Sequence, residues 1–221
     1  MSYVHESDSG QVKIEIVLPA GHPEGAVTSR LGPRDGTLSF DLAEGLVRLG
    51  GEARVVLPAS VVLSIVGAAT AEARRGFGRA LGESIGHVAT IRMREEDFAA
   101  PLALVDASPE AALSELAAAW ALAGLGGLGM ERWGRALVMT VDNSPLGREG
   151  DELLEVALEG ALEAATGRRM HVARIDRSRS QLRFFVGNAN AVAKVRSLIA
   201  RETPWPDALS MLHSDGVRGE A

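Results

Sequence analysis

The chain has 221 residues, of which 46% are hydrophobic and 24% charged, so it can bury the core of one ordinary domain. Its net charge of −6 disfavours a nucleic-acid partner, because a phosphate backbone repels an acidic protein unless basic residues cluster. It contains no cysteine, which excludes disulfides, thiol nucleophiles and thiolate metal sites.

The first 57 residues are predicted to form a tail and a β-rich extension. Residues 1–11 are polar and lack the basic start and apolar stretch of a signal peptide, so we expect a flexible tail. Residues 12–57 contain runs typical of strands, VKIEIVL, TLSFDL and ARVVL. We expect this extension to join the main sheet, because about 45 ordered residues make a poor independent core.

The longest uncharged run, VVLPASVVLSIVGAATA, lies at 55–71. It is short for a membrane span and is interrupted by Pro58 and Gly67, so we interpret it as a buried strand followed by the start of a helix. We therefore expect no membrane insertion and a cytoplasmic location.

Helical patterns begin at Pro58, which suits a first helical turn. This helix is predicted to reach residue 89, with a break near Gly76, and a second helix to run from the N-cap Ser108 to Gly124. The rest of the chain predicts, in order, a strand at 135–144, a helix at 151–167, a hairpin at 170–187, a helix at 190–200 and a C-terminal tail at 201–221. The order predicts an α+β (mixed α/β) domain over residues 58–200, with a largely antiparallel sheet packed against several helices.

The segment AGLGGLGMERWG carries the spacing of a dinucleotide-binding loop at Gly124, Gly126 and Gly129. Such a loop follows a strand and opens a helix, so that helix N–H groups face the phosphates. Here the order is reversed, because an alanine-rich helix precedes the glycines and a strand follows them. We interpret them as a helix C-cap and a tight turn, and predict no cofactor.

Gly78, Gly82 and Gly86 recur every four residues and so lie along one side of the predicted helix. Each glycine costs a helix about 1 kcal/mol relative to alanine, so we expect a compensating close contact. That contact is a helix of the same domain, the seam of a homodimer, or a bound ligand.

No set of residues converges on catalysis or metal binding. His87 and His171 lack the spacing of metal ligands. The glutamates of the helix at 151–167 predict a solvated face or a surface for a basic partner. The hairpin arginines predict edge-strand protection, or a surface that binds an anion or a protein partner, and are Arg174, Arg177, Arg179 and Arg183. We predict a protein that is not an enzyme and holds no metal.

Five landmarks follow one another in the second half: the stretch GRALG, the glycines 124–129, VMTVDNSP, ALEGAL with Gly160, and the hairpin MHVARIDRSRSQLRFFVG. In this order they resemble the vinyl 4-reductase-type domain, a family that is also similar to core subunits of the TRAPP vesicle-tethering complex. The resemblance covers about residues 58–199. Many members carry cysteines in the hairpin, sometimes as metal ligands, and this chain has none, so no metal site is carried over.

The resemblance implies a non-enzymatic module of a bacterial regulatory protein. Such a module binds a small apolar ligand in a pocket between helices and sheet and is commonly a homodimer. It alternatively implies a protein-interaction adaptor that acts without a ligand. We expect the pocket to be lined by Phe77, Leu81, Ile85, Trp120 and Met139.

Overall fold

The structure, a computed structural model, describes residues 4–6, 12–14, 38–41, 45–49, 51–96, 109–134 and 136–216. Ser108 and its predicted capping role, the loop around Pro101, and residues 15–18 of the first predicted strand lie outside the described residues. The elements in chain order are β1 (Val4–Glu6), β2 (Val12–Ile14), β3 (Leu38–Asp41), β4 (Leu46–Leu49), β5 (Glu52–Arg54), α1 (Ala59–Ala68), α2 (Ala71–Glu96), α3 (Pro109–Leu122), β6 (Gly127–Trp133), β7 (Ala136–Asp142), α4 (Asp151–Thr166), β8 (His171–Arg177), β9 (Gln181–Gly187), α5 (Ala189–Ala200) and α6 (Trp205–Gly216).

The largest sheet has four antiparallel strands in the order β6-β7-β9-β8. Two hairpins, β6–β7 and β8–β9, are joined through β7 and β9, and Met139 in β7 pairs with Met130 on one side and Phe184 on the other. The β8–β9 register shifts between Arg174 and Asp176. The α+β fold with an antiparallel sheet is therefore confirmed.

Helices cover both faces of this sheet, because the side chains of a strand alternate between its two faces. On one face, Met139 and Val141 of β7 and Phe184 of β9 pack in a core with residues of α2, α3 and α4. On the other face, Val138 and Phe185 pack in a second core with residues of α5 and α6. The sheet is thus the middle of three layers.

The predicted long helix from Pro58 breaks at a different place. Ala69 is extended, with φ −80° and ψ 156°, and α2 begins at Ala71. The Thr70 hydroxyl accepts a hydrogen bond from the Ala73 N–H at 3.2 Å, which satisfies one of the free donors of the first turn. Gly76, the predicted break, lies within α2. The boundary between α1 and α2 therefore lies at Ala69 and Thr70, where Thr70 acts as the N-cap of α2.

The glycine segment contains the predicted C-cap and turn, but it also contains the start of a strand that was not predicted. α3 does end before Gly124, which has φ +75°, as a C-cap requires. A seven-residue strand, β6, then begins at Gly127 and pairs with β7. The sequence did not predict this strand, because Gly127 and Gly129 lower its β-propensity. A Cβ at Gly129 would lie 2.7 Å from the Thr140 hydroxyl on β7, so any larger residue there would require the Thr140 side chain to move.

The two ends of the chain also differ from the predictions. β3, β4 and β5 form their own three-stranded sheet and β1 pairs with β2, so none of these strands joins the four-stranded sheet. β1 lies inside the predicted N-terminal tail. The predicted C-terminal tail contains α6, which buries Ala208 and Leu209 in the second core. Apolar burial holds this segment in place although it is short and flanked by polar residues.

Candidate functional site

The structure brings four of the five predicted pocket residues into one core. Ile85 on α2, Trp120 on α3 and Met139 on β7 are at most 3% exposed and belong to the same buried cluster. Leu81, one turn before Ile85, is half-buried and packs against that cluster. Phe77, one turn before Leu81 on α2, does not belong to this cluster and is 45% exposed.

Trp120 is held at the centre of this core by the pattern of α3. Leu113, Leu116 and Ala117 share its helix face at the spacing of one apolar stripe, and all are buried. Its neighbours Ala118 and Ala119 are buried as well. Trp120 itself is 0% exposed, which makes it the largest fully buried side chain among the described residues.

The indole Nε1–H of Trp120 has no hydrogen-bond acceptor among the described residues. Buried tryptophan N–H groups ordinarily find a partner, and an unpaired buried donor costs about 1–3 kcal/mol. By contrast, the Trp133 Nε1–H donates to Glu131 at 3.3 Å near the surface. Trp120 Nε1 is therefore a buried donor in the core, and the described side chains around it supply no acceptor.

Two concave surfaces lie elsewhere. A cavity of about 250 Å³ separates α1 from α2 and α4, with an apolar floor at Leu63, Val66 and Leu153 and charged residues, including Arg74 and Glu152, around it. A more open groove of about 430 Å³ lies beside the hairpin. None of the five predicted pocket residues lines either one.

The glycines of α2 lie against α4 of the same chain. A Cβ at Gly82 would overlap the Ala157 carbonyl oxygen, and one at Gly86 would lie 2.5 Å from the Ala161 carbonyl oxygen. Gly160 on α4 makes the reciprocal approach, with the Arg79 carbonyl oxygen 2.7 Å from its Cβ position. Gly78 meets side chains of α4 instead of its backbone. The surface that these glycines offer is therefore covered from within the domain.

Ion pairs reinforce the α2–α4 contact. Arg79 hydrogen-bonds Glu163 on α4 at 2.5 Å and Glu83 on its own helix at 3.0 Å. The hydrogen bond to Glu163 is the main cause that raises the pKa of Arg79 above its ordinary value. On the same helix α4, Glu155 accepts from Arg196, and Glu159 accepts from the Val172 N–H at 3.1 Å. The glutamates of α4 therefore accept hydrogen bonds from arginines and a backbone N–H of the same chain.

Three of the four hairpin arginines are likewise engaged within the chain. Arg174 and Arg177 donate to the two oxygens of Asp151, which is 3% exposed at the start of α4. Arg183 donates to Glu131 and Asp176 and lies 5.5 Å above the Trp205 ring. These side chains connect the hairpin to α4, β6 and α6.

The fourth arginine, Arg179, is at the exposed tip of the hairpin. Burial lowers the pKa of Arg183, but its hydrogen bonds to Glu131 and Asp176 outweigh burial, and the pKa is raised overall. Asp151 is the residue that sequence reasoning missed. Asp151 lies in the first turn of α4, where a negative charge is stabilised by the helix dipole. That position did not indicate that two arginines of the hairpin would contact it.

Titratable groups do not converge on a reaction centre in the described part of the chain. His87 is exposed within α2, and His171 Nδ1 lies 3.5 Å from Glu159 on α4. Across the described ranges, no three histidine, aspartate or glutamate side chains come together to hold a metal ion. Of the helices that can be described, none is long and apolar enough to cross a membrane.

Comparison with known proteins supports the fold alone. The chain matches no known protein family and no curated protein sequence. Among solved structures it is similar to the phenol-responsive sensory domain of the transcription activator PoxR, crystallised with phenol. The two share 13% sequence identity at a TM-score of 0.51, over 68% of this chain and 85% of that domain. The likeness therefore shows that the chain shares the α+β fold of that domain over the aligned part.

Proposed function

We propose that this chain is a non-enzymatic sensor module of the vinyl 4-reductase type, which binds a small, largely apolar molecule and acts as a homodimer. The unpaired indole N–H of Trp120 carries this proposal. A ligand oxygen that accepts from Nε1 would remove the cost of the unpaired donor, while the ligand's apolar part would take the place of core side chains.

The residues around Trp120 are suited to admit such a ligand. Met139 is flexible and adapts its shape, so it can give way to an incoming ring. Leu81 is half-buried at the margin of the core, and Ile85 lies one turn further in. We propose these three residues and Trp120 as the pocket, with Phe77 at its outer edge. The fold likeness to a phenol-responsive domain makes phenol the first probe.

Filling this pocket would act through α3, because Trp120 is fixed to that helix. A ligand that binds one arrangement of α3 and the sheet more tightly than another shifts the population toward it. The neighbouring copy or a protein partner would then detect the shift. No acid, base or nucleophile set is needed for this role, and we propose that the module performs no catalysis.

The experiment is a thermal unfolding titration with phenol on the wild type and on Trp120→Phe. A ligand present at about 100 times its Kd stabilises the folded state by about 2.7 kcal/mol, which raises the Tm by roughly 5–10 °C at this size. Trp120→Phe removes the donor and should weaken binding about 10-fold. Trp133→Phe is the matched control and should bind as the wild type does. An unchanged Tm in the wild type would reject phenol, and equal binding by Trp120→Phe would reject the site.

A second candidate is a protein-interaction adaptor that acts without a ligand. It is favoured by the tight packing around Trp120, since neither of the cavities described above reaches this residue. The exposed Arg179 and the outer sides of Arg174, Arg177 and Arg183 would then contribute to the partner surface. Native mass spectrometry separates the two candidates, because a sensor should retain a small ligand and an adaptor should show the bare chain mass.

A further inference from the structure

The open groove beside the β8–β9 hairpin, about 430 Å³ in volume, gathers three arginines from two segments of the chain. Arg148 precedes α4, and Arg174 and Arg177 belong to β8. We call this surface the arginine groove, and it is lined by these three residues together with Asp151, Asp176 and Ile199. Like charges repel, so three arginines in one groove require an anionic counterpart.

The buried carboxylate of Asp151 fixes two of these arginines. Its side chain is 4% exposed, and its two oxygens accept hydrogen bonds from Arg177 Nη1 at 2.8 Å and from Arg174 Nη1 at 3.1 Å. A guanidinium group has five N–H donors in one plane, so both arginines have donors that Asp151 does not use. The Arg174 side chain is 51% exposed, so a bound molecule can reach it. The two guanidinium groups are therefore held in place before any ligand arrives, which lowers the entropy cost of binding.

Positive charge exceeds negative charge in the arginine groove. Its three arginines face two aspartates, and one of these, Asp176, is already bound at 2.9 Å to Arg183, which lies outside the groove. Arg148 is exposed and forms no ion pair or side-chain hydrogen bond with any residue that the structure describes. Arg177 Nε is buried and has no acceptor among those residues. The chain as a whole has a net charge of −6, so the positive excess is local and does not follow from composition.

The number and arrangement of the donors select the kind of anion. Asp151 already occupies the position between Arg174 and Arg177 that a ligand carboxylate would take. The remaining donors come from three side chains, which suits the three terminal oxygens of a phosphate group and its charge of about −1.5 to −2 at pH 7. Ile199 on α5 is half-buried at the wall of the groove and offers an apolar contact beside these donors.

We propose that the arginine groove binds a phosphate monoester, with its phosphate on Arg148, Arg174 and Arg177 and its organic part against Ile199. Asp151 is a positioning residue, because it acts through two of the arginines. The groove does not include Trp120, so this inference goes beyond the proposed function and does not depend on it. A bound phosphate would fix the hairpin to the start of α4, because its ligands come from both segments.

A ³¹P NMR titration of n-butyl phosphate with the full chain tests the proposal, because it observes the phosphate directly. In a phosphate-free buffer with little salt, a ligand of this size should bind with a Kd on the order of 100 µM. Inorganic phosphate should bind about 3–10-fold more weakly, since it lacks the alkyl group that contacts Ile199. Raising the ionic strength to about 0.15 M should weaken both interactions, because the contacts are between charged groups.

Arg148→Gln removes one set of donors and should raise the Kd for butyl phosphate about 10-fold. Arg148 is exposed, so the variant should keep the Tm of the wild type. Arg174→Gln is a second variant with the same expected loss, and it leaves Asp151 paired with Arg177. Arg132→Gln is the matched control, since Arg132 is exposed on β6, at the opposite edge of the sheet from β8. It removes the same charge and should change the Kd by less than about 2-fold.

Three results would overturn the inference. The first is a ³¹P signal that neither shifts nor broadens with the full chain at about ten times the expected Kd. The second is equal weakening by Arg132→Gln and Arg148→Gln, because the net charge of the chain would then attract the phosphate without a specific site. The third is a hexaglutamate peptide that displaces butyl phosphate and binds at least about 10-fold more tightly, because the groove would then fit an acidic protein segment.

The phosphate site and the Trp120 pocket can fail separately. Trp120→Phe should leave the Kd for butyl phosphate unchanged, and a 10-fold loss in this variant would place the ligand at Trp120 and overturn the inference. Loss of phenol binding with intact butyl phosphate binding would reject the sensor proposal and leave the arginine groove unaffected.

Discussion

Gly82→Ala is the substitution that most sharply tests the packing of α2 on α4. The added methyl group would overlap the Ala157 carbonyl oxygen and lie 2.8 Å from the Ala161 nitrogen, both of them backbone atoms. Backbone cannot rotate away as a side chain can, so the two helices must separate. Separation also strains the Arg79–Glu163 hydrogen bond between them.

The magnitude follows from two opposing effects. Overpacking costs about 1–3 kcal/mol in well-packed cores and sometimes more, and a backbone overlap belongs at the upper end. Alanine regains about 1 kcal/mol because it is the better helix former. The net loss in the free energy of unfolding is therefore about 2 kcal/mol, which lowers the Tm by roughly 4–8 °C for a chain of this length.

Gly76→Ala is the matched control on the same helix. A Cβ at Gly76 meets nothing within 4 Å, so only the gain in helix propensity remains. Urea unfolding followed by circular dichroism should show Gly76→Ala more stable than the wild type by about 0.5–1 kcal/mol and Gly82→Ala less stable. Equal or greater stability of Gly82→Ala would refute the close approach of the two helices.

Three further substitutions test other contacts by the same urea assay. Asp151→Ala should cost about 2–3 kcal/mol because two arginines lose their buried acceptor, whereas the exposed Glu149→Ala should change stability by less than about 0.5 kcal/mol; similar values for both would contradict the pairing. Leu209→Ala should cost about 2–4 kcal/mol if α6 unfolds with the domain, against less than about 0.5 kcal/mol for Met211→Ala, and a negligible loss at Leu209 would show that α6 is not part of the cooperative fold. Thr70→Ala should cost about 1 kcal/mol, and no change would argue against its role as the N-cap of α2.

The sequence correctly predicted those helices and strands whose caps and turns are determined by a few neighbouring residues. α4 ends at Gly167, which has φ +65°, and β8 and β9 form the predicted hairpin, because cap and turn residues act over a few positions. The four-residue spacing of the α2 glycines also predicted a close contact correctly. Which helix makes that contact was left open, because Gly160 lies far away in the sequence.

Other features depend on neighbours that a single segment does not show. β6 contains two glycines, which lower its β-propensity, so the sequence did not predict this strand. Its pairing with β7 forms it. Asp151 meets Arg174 and Arg177 only because the hairpin folds back on α4. Trp120 was predicted as a pocket residue, yet its unpaired N–H depends on the side chains that the fold brings around it.

The most direct test of ligand binding at Trp120 is the NMR signal of its indole N–H. In a ¹⁵N-labelled sample, the three tryptophan side chains, Trp120, Trp133 and Trp205, give separate indole signals, which single Trp→Phe variants assign. We predict that phenol moves the Trp120 proton downfield, since it gains an acceptor, and leaves the other two in place. If a saturating phenol concentration moved neither the Trp120 signal nor those of its neighbours, phenol would not bind at Trp120 and the proposed pocket would be wrong.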